Sequence, residues 1–151
     1  MTKVIFDVLL AEDSPTDALL CRAALKEAGV ECQIHQVENG RQVMAFLRRE
    51  ADYPDAPRPD LLLLDLNLPV MDGREVLGQM KGDPTLVRIP VIVLTTSQAD
   101  EDIQAAYGLH ANGYITKPLE FEAYTSAMRA LAAFWFEVAT LPSEHPREMQ
   151  A

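Results

Sequence analysis

The chain has 151 residues, enough for one domain with a proper core and no need for disulfides or a structural metal. Its 23 acidic residues outnumber 13 Lys and Arg, for a formal net charge of −10 and no basic run, which argues against direct DNA or RNA binding. There is no signal-peptide-like start and no stretch of roughly 18 apolar residues, so the expected setting is a reducing cytoplasm without membrane attachment.

Five apolar runs alternate with five helical patterns. Strands are predicted near 4–11, 31–37, 60–65, 91–95 and 113–117, and helices near 15–28, 40–50, 73–81, 99–109 and 119–138. The first run, Val8-Leu9-Leu10-Ala11, ends in Glu12-Asp13. Ser14-Pro15 then supplies an N-cap and an N1 proline, and Gly29 suits the C′ position after the helix. Cys21 and Cys32, the only cysteines, have neither metal-site nor redox-motif spacing. Glu50–Pro59, with Pro54, Pro57 and Pro59, reads as a surface loop.

The third run, Leu61-Leu62-Leu63-Leu64, ends in Asp65 and a turn punctuated by Pro69 and Gly73. The fourth ends at Thr95, and the fifth delivers Lys117 after Gly113-Tyr114-Ile115-Thr116. Continuous apolar strands alternating with helices predict a doubly wound, five-stranded parallel α/β sheet covered on both faces, with right-handed crossovers. In such sheets, ligands bind at the C-terminal edge of the strands.

The last helix carries one apolar stripe at 3-4-3-4-3 spacing: Phe121, Tyr124, Met128, Leu131, Trp135 and Val138. Phe134, Trp135 and Phe136 cannot all lie on it, because successive residues turn by about 100°. These aromatics are expected either to fold over the core or to form a dimer contact. The domain is expected to span 1–140, with 141–151 a flexible tail and no output domain. His35 is placed on a strand, His110 in a turn and His145 in the tail, with no shared metal spacing.

Glu12, Asp13 and Asp65 would repel one another at the sheet mouth unless a cation sat among them, and oxygen ligands of this kind favour Mg²⁺ over zinc. A carboxylate can also attack phosphorus. Lys117 could then neutralise a phosphoryl oxygen and the Thr95 hydroxyl could bond another. The expectation is a metal-assisted, phosphate-accepting switch.

The segments Ala11-Glu12-Asp13-Ser14, Leu64 through Gly73, Val93-Leu94-Thr95-Thr96-Ser97 and Tyr114-Ile115-Thr116-Lys117-Pro118 resemble the receiver domain of two-component response regulators over about residues 4–135. The resemblance implies a (βα)₅ flavodoxin-like receiver fold with strand order 2-1-3-4-5. It implies that Asp65 is the phosphoacceptor, served by a histidine kinase. Mg²⁺, with Mn²⁺ as substitute, would be held by Asp13, Asp65 and the carbonyl of Asn67, with Glu12 acting largely through water. Thr95 and Tyr114 match positions that move together on activation, and Lys117 matches the phosphate-pairing lysine, whose bond to the following proline is often cis. Many receivers have Ala or Gly where this chain has Thr96, whose bulk is expected to slow hydrolysis of the phosphoryl group.

Met71 through Leu77, Leu94 through Ser97, and Leu109 through Pro118 are similar to the short regulators partnered with bacterial phytochrome kinases. The implied protein is a single-domain regulator that signals by phosphorylation-dependent protein–protein interaction, rather than a turnover enzyme. Its fourth and fifth helices are the expected readout face, and the aromatics of the last helix are expected to extend it into a phosphorylation-sensitive homodimer. A phosphorelay intermediate and a non-phosphorylated pseudo-receiver are the alternatives. A flavodoxin-like electron carrier would need a phosphate-cradling loop where Glu12-Asp13-Ser14-Pro15 stands. A haloacid-dehalogenase-type phosphatase would need an acid where Asn67 stands.

Overall fold

A computed structural model describes residues 5–29 and 31–142. Five strands, β1 (Phe6–Ala11), β2 (Cys32–Val37), β3 (Leu61–Leu64), β4 (Val91–Thr95) and β5 (Gly113–Thr116), alternate with five helices. The helices are α1 (Pro15–Glu27), α2 (Gly40–Arg48), α3 (Gly73–Lys81), α4 (Asp100–Gly108) and α5 (Phe121–Ala132). The sheet is parallel throughout, in the order β2-β1-β3-β4-β5, as the sequence leads one to expect.

Side-chain alternation sorts the apolar strands onto two cores. Leu9, Leu62, Leu64 and Val93 point to one face, where α2 and α3 cover them with Val43, Phe46, Val76 and Leu77. Val8, Leu10, Leu61, Leu63, Ile92 and Leu94 point to the other, against Ala18, Cys21 and Leu25 of α1 and Tyr124, Met128 and Leu131 of α5. Leu61 to Leu64 are all wholly buried because both faces are covered.

Helix ends follow the local chemistry. Ser14 caps α1 by accepting from the Asp17 N–H at 3.3 Å, with Pro15 in the first helical position, and Gly29 takes a φ of +79°. Asn39 and Asp72 cap α2 and α3 in the same way. α2 stops at Arg48, two residues short of the expectation, because Arg49 and Ala51 turn to φ of 57° and 54°. The proline-rich stretch after it is a loop, as expected.

The final helix departs from the uniform reading. After Ala132 the backbone widens into a π-helical stretch, Ala133–Val138. Bonding from i to i+5 shifts the angular phase, so the 3-4-3-4-3 stripe fails at its end. Tyr124, Met128 and Leu131 are buried and Trp135 is half-buried, but Val138 is 73% exposed. Phe121, 43% exposed, stands in the first turn of α5, ahead of the widened stretch. Phe136 enters the core side instead, stacked on Phe6 with ring centroids 4.3 Å apart.

Cys21 and Cys32 are free thiols, the first buried. His35 lies on β2 and meets Asp7 Oδ1 at 3.0 Å, while His110 occupies an exposed turn with φ of 68°. His145 and most of the expected tail fall outside the described residues. Among the described residues, no helix is long and apolar enough to cross a membrane.

Candidate phosphoacceptor site

Each polar residue at the mouth continues a strand ladder by one rung. The Glu12 N–H donates to the Val37 carbonyl at 3.0 Å, Asp65 to Ala11 at 3.2 Å, and Lys117 to Thr95 at 2.7 Å. Backbone hydrogen bonding therefore delivers an acid, a second acid and a lysine to one sheet edge from three segments far apart in sequence. Gly73 lets α3 start directly beside Asp65, since a Cβ there would lie 2.5 Å from the Asp65 carbonyl oxygen. A Cβ at Gly40 would likewise collide with the Met71 carbonyl, so α2 closes tightly on the β3–α3 loop.

Lys117 is the hub. Its Nζ donates to Glu12 Oε1 in a short contact, to Asp17 Oδ2 at 3.0 Å and to Asp65 Oδ2 at 3.1 Å. The second oxygens of Glu12 and Asp65 are also held. Glu12 Oε2 accepts from the Ser14 N–H at 3.2 Å, and Asp65 Oδ1 from the Asn67 N–H at 3.0 Å. Burial alone would pull the Lys117 ammonium down. The carboxylates of Glu12, Asp17 and Asp65 outweigh it and hold it well above the ordinary lysine range. Burial pushes the Glu12 carboxyl up, with Lys117 opposing.

Carboxylate oxygens of Glu12, Asp13 and Asp65 lie within 4.8 Å of one another. Asp13 is exposed and the other two are buried, leaving one open side. All three donors are hard oxygens, the set that Mg²⁺ or Mn²⁺ takes, so the residues present fit such an ion. Asn67 is exposed, two residues past Asp65.

Thr95 is fully buried, and its Oγ1 has no hydrogen-bond partner among the described residues. A buried hydroxyl left so costs about 1–3 kcal/mol, which suits a group awaiting an acceptor. Thr96 is exposed. Tyr114 is half-buried and donates through its hydroxyl to the Ser97 carbonyl at 3.0 Å. Lys117–Pro118 is trans, unlike the bond that the resemblance implied; trans is the commoner form by about 0.5–1 kcal/mol.

Residues 8–129 match the response regulator receiver domain. The chain belongs to that family. It is 43% identical over 136 residues to response regulator Rcp1 of Synechocystis sp., covering 90% of this chain and 92% of that one. The crystal structure of the phosphorylated cyanobacterial phytochrome response regulator RcpA aligns with a TM-score of 0.86 at 46% identity, over 91% of this chain and 99% of that one. The Mn²⁺-bound form of Rcp1 gives 0.84 at 43% identity, with the same coverages of 91% and 99%. Mg²⁺ or Mn²⁺ is the metal of the receiver family, and this receiver carries the acidic cluster that suits it.

The site holds partners that the sequence reading missed. Asp17, on the first turn of α1, is the third acid on Lys117, and its signal was only its place four residues after Asp13. Arg74 of α3 pairs with Asp102 Oδ1 of α4 in a short contact, and Asp102 Oδ2 accepts from Ser97 Oγ at 2.6 Å. Through Ser97 this chain of contacts reaches Tyr114. The aromatic triplet is divided: Trp135 and Phe136 pack against their own core, whereas Phe134 is 52% exposed.

Proposed function

We propose that this receiver takes a phosphoryl group on Asp65 from the phosphohistidine of a histidine kinase and signals by a change in protein–protein contact. The observation that carries this reading is the Lys117 ammonium held against Asp65 and Glu12 at the sheet edge. In the transfer, a P–O bond forms to Asp65 as the P–N bond breaks, and the electron pair leaves with the imidazole, which takes a proton from solvent. Asp13, Asp65 and the Asn67 carbonyl would hold the metal, with Glu12 acting through water; the bound ion supplies charge neutralisation for the phosphoryl oxygens.

Lys117 gives the incoming group a second positive contact, and Thr95 offers its unpaired hydroxyl. Drawing Thr95 towards the phosphoryl group displaces the β4–α4 loop that Tyr114 is bonded to, which gives the two states different surfaces near α4 and α5. The kinase partner is of the phytochrome type, supported by the likeness to RcpA, itself a phytochrome response regulator. Exposed Phe134 and Val138, at the end of α5, fit a homodimer contact that responds to phosphorylation.

The test is intact mass after incubation with acetyl phosphate and Mg²⁺. One adduct, dependent on Mg²⁺ and missing from Asp65→Asn, is the expected result. An adduct that persists in Asp65→Asn would move the acceptor elsewhere, and no adduct from either acetyl phosphate or a phytochrome kinase would favour the pseudo-receiver.

A further inference from the structure

An ammonium has three donors, and those of Lys117 are all engaged, by Glu12, Asp17 and Asp65. A phosphoryl group that arrives at Asp65 and pairs with this lysine must therefore take a donor from one of the three. Glu12 and Asp65 are 4% and 10% exposed at the side chain, so leaving either unpaired carries a large desolvation cost. Asp17 is 34% exposed and can be rehydrated, so its contact yields most cheaply. Its position is nevertheless fixed, because its own N–H is tied to the Ser14 cap at the start of α1.

We propose that Asp17 is a positioning residue that occupies the third donor of Lys117 and so slows phosphoryl capture at Asp65. The proposal rests on Asp65 being the phosphoacceptor. Asp17 touches neither the phosphoryl donor nor the acceptor and carries no proton in the transfer. With acetyl phosphate, a P–O bond forms to Asp65 while the P–O bond to acetate breaks, and acetate departs with the electron pair. Before that step is favoured, the lysine must turn one donor from Asp17 towards the incoming group.

Removing the Asp17 carboxylate loosens that donor in advance: in Asp17→Asn the amide oxygen still accepts but without a charge, and in Asp17→Ala the donor is freed outright. Asp17→Asn and Asp17→Ala should each form the Asp65 adduct about two- to fivefold faster than wild type, the range that one half-exposed charge contact is worth. Simple repulsion between Asp17 and the acetyl phosphate anion would give the same sign, but salt screens it. The gain should therefore persist at about 0.5 M salt, where the Debye length is only a few ångströms. A second readout needs neither metal nor phosphate: the Lys117 ammonium resonance in ¹⁵N NMR should shift in Asp17→Asn.

Equal or slower capture in both variants, a gain that disappears in high salt, or an unmoved Lys117 resonance would each overturn the proposal while leaving Asp65 as acceptor. A wild-type protein that takes no phosphoryl group would overturn the acceptor reading, and this proposal with it.

Discussion

At the residue scale, the turn after Asp65 carries strain that its composition conceals. The Met71 N–H donates to the Pro69 carbonyl at 2.8 Å, closing a three-residue turn around Val70, whose φ is 69°. A β-branched side chain is poorly suited to that region, and the cost is about 1–2 kcal/mol. Val70 is 68% exposed and has little packing to lose. Val70→Asn should therefore raise the free energy of unfolding by about 1 kcal/mol, read from the urea midpoint at constant slope. An unchanged or lower midpoint would mean that the turn is relaxed as it stands. The strain lies beside Asp65 and is tied down by Gly40, which admits the Met71 carbonyl against α2.

At the element scale, Arg74, Asp102, Ser97 and Tyr114 join α3, α4, the β4–α4 loop and β5 by side-chain bonds. Hydrogen bonds from Ser97 and Arg74 hold the Asp102 carboxyl below its usual range, so this network contributes stability above the ordinary aspartate value and loses it as pH falls through the lowered one. Arg74→Ala should loosen α4 locally, and amide exchange over 97–103 should quicken while α1 and α5 keep their protection. Uniform protection across the variant would show that Arg74 is incidental to the loop. None of these links was legible in advance, because they join residues remote in sequence whose separate roles were ordinary. Asp65 and Lys117 were legible for the opposite reason: each follows an apolar run, and parallel pairing brings such ends together whatever the loops do. Asp17 is 100 residues from Lys117 and sits in the first turn of a helical pattern, where an acid is unremarked. The π-helical stretch leaves no mark in a periodicity of constant 3.6 residues per turn, which fails once bonding passes to i+5.

For the whole molecule, the buried ionisable groups make alkaline pH the direction of weakness. Burial pushes the Cys21 thiol up from 9.0 to about 12, and raises Cys32 from the same starting value. Burial likewise raises Tyr124 above 10.0, and carboxylates raise Lys117 above 10.5 against the pull of its own burial. In all four the folded state holds its proton to higher pH than the unfolded chain. Their contribution is thus complete below about pH 9 and is lost as pH rises, at about 1.4 kcal/mol per pH unit for each proton by which the states differ. Cysteines act first because their unfolded values are lowest; tyrosine and lysine follow. Urea midpoints measured from pH 8 to 11 should hold level at first and then fall with a steepening slope. Cys21→Ala removes one of the two earliest groups, whose folded value lies near 12, so its curve should be shallower than wild type from about pH 9 up to the end of the range at pH 11. A wild-type curve that stays flat to pH 11, or a variant that falls as steeply as wild type from pH 9, would show that the thiol is ionised as easily in the fold as outside it. The same sign has a functional edge: the proton on Lys117 that steadies Glu12 and Asp65 is the one a phosphoryl group would need, so folding and phosphoryl capture should fail together in strong alkali.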